Sequence, residues 1–145
     1  MSTLPPAHEV IERLQLEPHP EGGLYRETWR DVPEDGSRGT GTAILFLLRA
    51  GECSRWHRID ATEIWHFYEG APLELSISVD GATSKQYALG PGLFEGEVPQ
   101  VIVPPGAWQS AQSLGDWTLV GCTVSPAFQF EHFEMAEDDF IPGSG

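Results

Sequence analysis

Basic charge is scarce in this chain. Lys85 is its one lysine, and 8 Lys and Arg stand against 22 Asp and Glu, giving a formal net charge of -14. A stripe of cations that could neutralise phosphates is missing, which disfavours nucleic acid and anionic membrane surfaces as partners. The acidity itself reads as solubility. Cysteine is almost as rare. Cys53 and Cys122 make neither a disulfide framework nor a close-spaced zinc site, and both are expected as reduced, buried thiols. The longest apolar run, residues 43–48, is far too short to cross a bilayer. The N-terminus has no basic stretch followed by an apolar one, so no secretory signal is read and a cytoplasmic location is expected.

Helical periodicity is also nearly absent. It occurs after Pro5 and Pro6, where Val10, Ile11, Leu14 and Leu16 share a face until Pro18 stops it. What fills the rest is punctuation: 16 Gly and 12 Pro in short clusters between brief apolar segments. The strands predicted are 24–29, 43–49, 55–59, 64–69, 73–79, 84–89, 100–103, 108–113, 117–125 and 128–133. Leu73, Leu75, Ile77 and Val79 alternate with Glu74, Ser76, Ser78 and Asp80, and Asp80-Gly81 supplies a hairpin turn. Short strands at regular spacing predict an all-β sandwich or barrel, and the length predicts one domain, 1–145, with an acidic, Gly- and Ser-containing tail fraying after about 136. The glycine-rich stretch 35–42 precedes a strand rather than a helix, so it reads as a mobile loop and not as a phosphate cradle.

Five histidines are candidates for chemistry near neutral pH: His8, His19, His57, His66 and His132. His8 reads as solvated on the helix. His132 shares a strand face with Phe128 and Phe130, and is expected to be packed and hydrogen-bonded. The segment 51–70 stands apart, with Gly51, His57, Glu63 and Gly70 at set intervals. On its strands His57 and Ile59 share one face, and Glu63, Trp65 and Phe67 share another, so these side chains converge inside a barrel, with Gln109 joining from a third strand. An imidazole, a carboxylate and an amide among aromatic walls suit a small-molecule ligand. By the same parity His66 points outward as a structural residue, unless a bulge between Glu63 and His66 reverses it.

The spacing Gly51, His57, Glu63, Gly70 resembles the first motif of the cupin superfamily, with Ile59 where a second histidine commonly stands. Pro104, Gly106, Gln109 and Ser113 resemble the second motif, with its turn intact and its histidine replaced by Gln109. Together with the runs 18–27, 56–58, 63–70 and 103–109 and the closing Phe-Glu-Met-Ala, the chain resembles the cupin-5 subfamily, the domain of unknown function 985, over nearly its whole length. The resemblance implies a double-stranded β-helix, the jelly-roll barrel, with one short N-terminal helix. It also implies a homodimer, for which outward aromatics such as Tyr68 would serve.

Two of the four usual cupin metal ligands remain, and Gln109 is a weak neutral donor. The site is therefore expected to work without a cofactor, the weaker alternative being a divalent transition metal at His57, Glu63 and Gln109. For function, the resemblance suggests a metal-independent epimerase or isomerase acting on a small polar or sugar-like compound. His57 is the expected base, Glu63 its orienting carboxylate, Arg55 the partner of an anionic substrate group, and Tyr25 the opposing acid. Glu21 and Tyr25 close the mouth, and Trp65, Phe67 and Gln109 line the ligand. A metal-dependent dioxygenase or isomerase and a non-catalytic metabolite-binding module are the rivals, and the His57 and Glu63 pair reads equally as a satisfied buried contact.

Overall fold

The computed structural model describes residues 4–144. One helix, α1 (Ala7–Leu14), precedes the strands β1 (Glu17–Pro18), β2 (Leu24–Arg30), β3 (Thr42–Arg49), β4 (Cys53–Ile59), β5 (Thr62–Gly70) and β6 (Leu73–Ser78). They are followed by β7 (Thr83–Leu89), β8 (Gln100–Val103), β9 (Trp108–Ser113), β10 (Trp117–Ser125), β11 (Phe133–Met135) and β12 (Gly143–Ser144). Two six-stranded sheets face each other, in the orders β1-β2-β3-β10-β5-β8 and β11-β4-β9-β6-β7-β12. All pairings are antiparallel except β12 with β7. This is the all-β jelly-roll barrel that the strand pattern and the resemblance predict.

One end of the space between the sheets is a dry core of Phe46, Leu48, Trp65, Leu75, Val103 and Val120. The helix lies outside the barrel, where Val10, Ile11 and Leu14 cover Leu16, Leu24, Leu47, Trp117 and Leu119. The Trp117 indole donates to the Pro5 carbonyl at 2.9 Å, so the approach to the helix is fastened to β10. No helix among the described residues is long and apolar enough to cross a membrane.

Five expectations are corrected. Residues 128–133 are not one strand: Phe130–His132 forms a 3-10 turn, and strand pairing starts at Phe133, opposite Ile59. The even spacing of Phe128 and Phe130 imitates strand alternation, but the three-residue period of the turn brings Phe133 into the same cluster. His132 consequently points outward, with Nδ1 3.5 Å from Asp60 Oδ2. Cys53 is exposed and only Cys122 is buried. The loop 35–42 is anchored, because Asp31 accepts the Thr40 N–H at 2.8 Å and Arg38 forks onto Asp60. The tail after 136 also docks: Phe140 lies against Trp56 and Trp108, and β12 joins β7.

Candidate functional site

The polar end of the barrel depends on an irregularity in β4. Ser54 pairs with Ala111 and His57 with Gln109, so two residues of β4, Arg55 and Trp56, stand opposite Ser110 alone. Such a bulge turns Ser54 and His57 both inward and Arg55 outward. Its freed Arg55 N–H is satisfied from outside the sheet, by the Glu21 carbonyl at 2.8 Å. Glu21 arrives in a tight turn between β1 and β2, closed by His19 N–H to the Gly23 carbonyl and Gly22 N–H to the His19 carbonyl. Gly22 has φ +107, and a Cβ there would run into the Cys53 carbonyl oxygen. Only glycine permits this close approach of two backbones.

That contact delivers the Glu21 carboxylate into the barrel. Its Oε2 lies 2.7 Å from His57 Nε2 and accepts the Ser54 hydroxyl at 2.7 Å. The other nitrogen of His57, Nδ1, is 2.7 Å from the Arg55 carbonyl. A carbonyl only accepts, so Nδ1 carries a proton; a carboxylate only accepts, so Nε2 carries one as well. His57 is an imidazolium. Burial pushes its pKa down, but the charge and hydrogen bond of Glu21, helped by Glu63 and the Arg55 carbonyl, carry it up to about 9. Burial likewise pushes the Glu21 carboxyl up, and His57 outweighs it and holds Glu21 below the ordinary range.

Glu63 takes a different place from the one expected. Its Oε1 accepts from Gln109 Nε2 at 2.8 Å, while Gln109 Oε1 accepts from the Trp65 indole at 2.7 Å. The carboxylate that orients His57 is therefore Glu21, and Glu63 is held by Gln109. Burial first and the neighbouring Glu21 charge second raise the Glu63 pKa to about 7, against His57 and the bonds from Gln109 and Cys122. The Cys122 thiol is itself pushed up by burial, then by Glu63 and Glu21.

These groups surround a narrow cavity lined by Glu21, Tyr25, His57, Ile59, Glu63 and Cys122, with His19 beside them and Phe128, Phe130 and Phe133 as walls. The space open to the centre of a water-sized sphere is about 40 Å³, enough for a few waters or a small polar group. Phe133 stacks on His57 at 5.3 Å and 25°. His19, one of the five candidate histidines but not among the residues expected at the site, belongs to it. Its Nδ1 accepts the Glu21 N–H at 3.1 Å, so its proton sits on Nε2. Burial keeps it neutral by lowering its pKa, only partly opposed by Glu21. The signal that points to it is the run His19-Pro-Glu-Gly-Gly23, whose glycines require a close backbone approach.

Of the residues expected at the site, His57, Glu63, Glu21 and Tyr25 come together on the cavity. Trp65 and Gln109 sit behind it, fully buried and bonded to one another. Phe67 packs against the dry core instead of the ligand space. Arg55 is on the outer face, 3.9 Å from Asp138, and the bulge is what removes it. His66 points outward as expected, bonded to Thr123 and Gln100.

A cupin metal would need the positions of His57, Ile59, Glu63 and Gln109, and the donors there do not fit. Both His57 nitrogens are engaged, Ile59 has no donor atom, and Gln109 spends its oxygen on Trp65. Among the described residues no group of three or more His, Cys, Asp or Glu is arranged to hold a metal ion.

Comparison with known proteins agrees with this architecture. No curated protein matches the chain. Protein SO0799 from Shewanella oneidensis is 39% identical, with a TM-score of 0.87 over 92% of this chain and 86% of that one. A hypothetical protein from Leishmania major is 31% identical, with a TM-score of 0.84 over 94% and 90%. Oxalate decarboxylase from Bacillus subtilis, at 17% identity and a TM-score of 0.64, shares the fold over 81% of this chain, which spans 29% of that protein. The family model Cupin_5, cupin superfamily (DUF985), matches residues 8–136. A barrel whose polar end is built around His57 and Glu63, matched by that model over most of its length, belongs to the cupin superfamily, in its DUF985 family.

Proposed function

We propose that the cavity binds a small polar compound and moves a proton on it without a metal, in the manner of an epimerase or isomerase. One observation carries this reading: a buried carboxyl, Glu63, lines a cavity that also presents Glu27, Thr42 and three phenylalanines, beside an ion pair whose protons are already committed. A proton-transfer group works best with a pKa near the working pH, and burial with Glu21 brings Glu63 to about 7. His57 is thereby moved from the base to a fixed cation, which holds Glu21 in place. Tyr25, on β2, is separated from Glu63, on β5, by β3 and β10 in the same sheet. The phenol is raised above its ordinary pKa by burial and then by Glu17 and Glu27, so it stays protonated and can donate from another side of the ligand. The absence of Arg55 from the cavity argues against a nucleotide-linked or otherwise anionic substrate.

The cupin fold is a small-molecule-binding fold, and a homodimer remains part of the proposal; light scattering at micromolar concentration tests it by the mass found. The catalytic reading is tested by incubating the protein in D2O with small hydroxy-carbonyl compounds and free deoxysugars and following C–H signals by NMR. Deuterium entering a carbon position with the native protein, and at least about 10²-fold more slowly with Glu63→Gln, is the expected result. A compound that binds saturably at the cavity and never exchanges would make the protein a metabolite-binding module.

A further inference from the structure

Charge and ring geometry restrict what the cavity can hold, given that it is the binding site proposed above. An anionic ligand finds only neutral donors there, the Tyr25 and Thr42 hydroxyls and the His19 Nε2–H, and no free cation. His57 has given both ring protons to the Arg55 carbonyl and Glu21, and Arg55 lies outside. A cationic ligand finds two kinds of partner. Glu21 Oε2 is occupied by His57 and Ser54, but Oε1 has only His19 Nδ1 nearby, at 3.5 Å. That nitrogen is itself accepting the Glu21 N–H, so it has no proton to offer and Oε1 is an open, charged acceptor.

Aromatic rings provide the second kind of partner. Phe128 and Phe130 meet at 83°, Phe128 and Phe133 at 73°, and Phe130 and Phe133 at 66°, with centroids 4.9 to 6.2 Å apart. The three rings pack edge-to-face on one another along the cavity, whose lining Tyr25 also joins, and Phe133 already stacks on the His57 imidazolium. The faces of such rings attract a cation, most strongly where water is displaced. The net charge of -14 adds a long-range field of the same preference.

We propose that the ligand is a small organic cation, a primary or methylated amine, whose ammonium group sits among Phe128, Phe130, Phe133 and Tyr25 and pairs with Glu21 Oε1. The narrow space admits the ammonium head, and the rest of the molecule extends past Phe130, which is 52% exposed at the rim.

The test uses the full chain with isotope-labelled isoleucine methyl groups, since Ile44 and Ile59 line the cavity and report binding there. Methylammonium and trimethylammonium chloride are titrated against sodium acetate and the neutral tert-butanol. The amines are expected to shift both methyl signals saturably and acetate to shift neither. Phe130→Leu keeps an apolar side chain at an exposed position and removes the π face, so it should weaken amine binding roughly 2- to 30-fold and leave tert-butanol unchanged. Equal or tighter binding of acetate or tert-butanol, no saturable shift with either amine, or unchanged amine affinity in Phe130→Leu would overturn the proposal. Deuterium exchange on neutral compounds without amine binding would overturn it and leave the proton-transfer reading standing. Amine binding with no exchange on any compound would support it and overturn that reading.

Discussion

Replacing Glu21 with Gln removes one charge and keeps the shape of the side chain, which isolates what the carboxylate does for His57. In the native protein the His57 pKa goes from 6.5 in an ordinary setting to about 9, a difference worth roughly 3 kcal/mol of folding stability. Because the folded-state value is the higher one, this stabilisation is fully present below pH 6.5 and is lost as pH rises through 9. In Glu21→Gln the two contributions of Glu21 disappear, and burial, the largest influence on His57, lowers its pKa below 6.5. The variant then gains from this residue as pH rises through that lower value. Urea denaturation of both proteins at pH 6, 7, 8, 9 and 10 should show a gap of roughly 3 kcal/mol at pH 6, closing by pH 10, in line with the cost of breaking a buried pair. NMR of the histidine rings should place the His57 titration near 9 in the native protein and below 6.5 in the variant. A gap that stays constant across the whole pH range would mean that the loss is one of packing, and the imidazolium argument would be wrong.

Gly22→Ala should lower the melting temperature sharply and displace Glu21, because its Cβ meets the Cys53 carbonyl at a backbone angle, φ +107, that disfavours alanine; the His57 titration falling in parallel checks the link. Ser54→Ala removes one of the two donors to Glu21 Oε2 and should cost about 1 to 3 kcal/mol by denaturant unfolding, with the fold kept by circular dichroism. Glu63 is raised from 4.5 to about 7, so native stability falls as pH rises through that window; Glu63→Gln should flatten the slope and be the more stable protein at pH 8. Titration with manganese, iron(II) or zinc should leave the melting temperature unchanged, since Ile59 and Gln109 offer no free donor; a saturable rise abolished by His57→Gln would refute the fit argument.

The fold was legible because its signals are local. Alternation in 73–79, the Asp80-Gly81 turn and the prolines around α1 each depend on near neighbours, and strands 100–103, 108–113 and 117–125 match β8, β9 and β10 residue for residue. The site was legible only in part. His57 and Glu63 face inward as strand parity requires, yet the same alternation in an unbroken strand would put Arg55 on the face of His57, and one extra residue in β4 reverses that. Nothing in the sequence of β4 announces the bulge, since its support is a backbone bond from Glu21, more than thirty positions earlier in the chain. Trp65 and Phe67 were placed on the correct face, but depth along that face depends on barrel curvature and packing, which the pattern does not carry. The Phe128 to Phe133 segment misled because a 3-10 turn and a strand can both gather phenylalanines on one side.

The Glu21 turn has a consequence for how such a centre can be altered. The barrel strands supply a cationic imidazole and a carboxyl of ambiguous charge, while the group that decides their protonation comes from a short turn lying outside the motif strands and attached at Arg55 N–H, Ser54 and His57. Proton affinity and scaffold are thus encoded in separate stretches of the chain. Exchanging residues 19–23 alone would retune the chemistry of the barrel without redesigning any strand, which makes the turn a natural cassette for variation and for engineering.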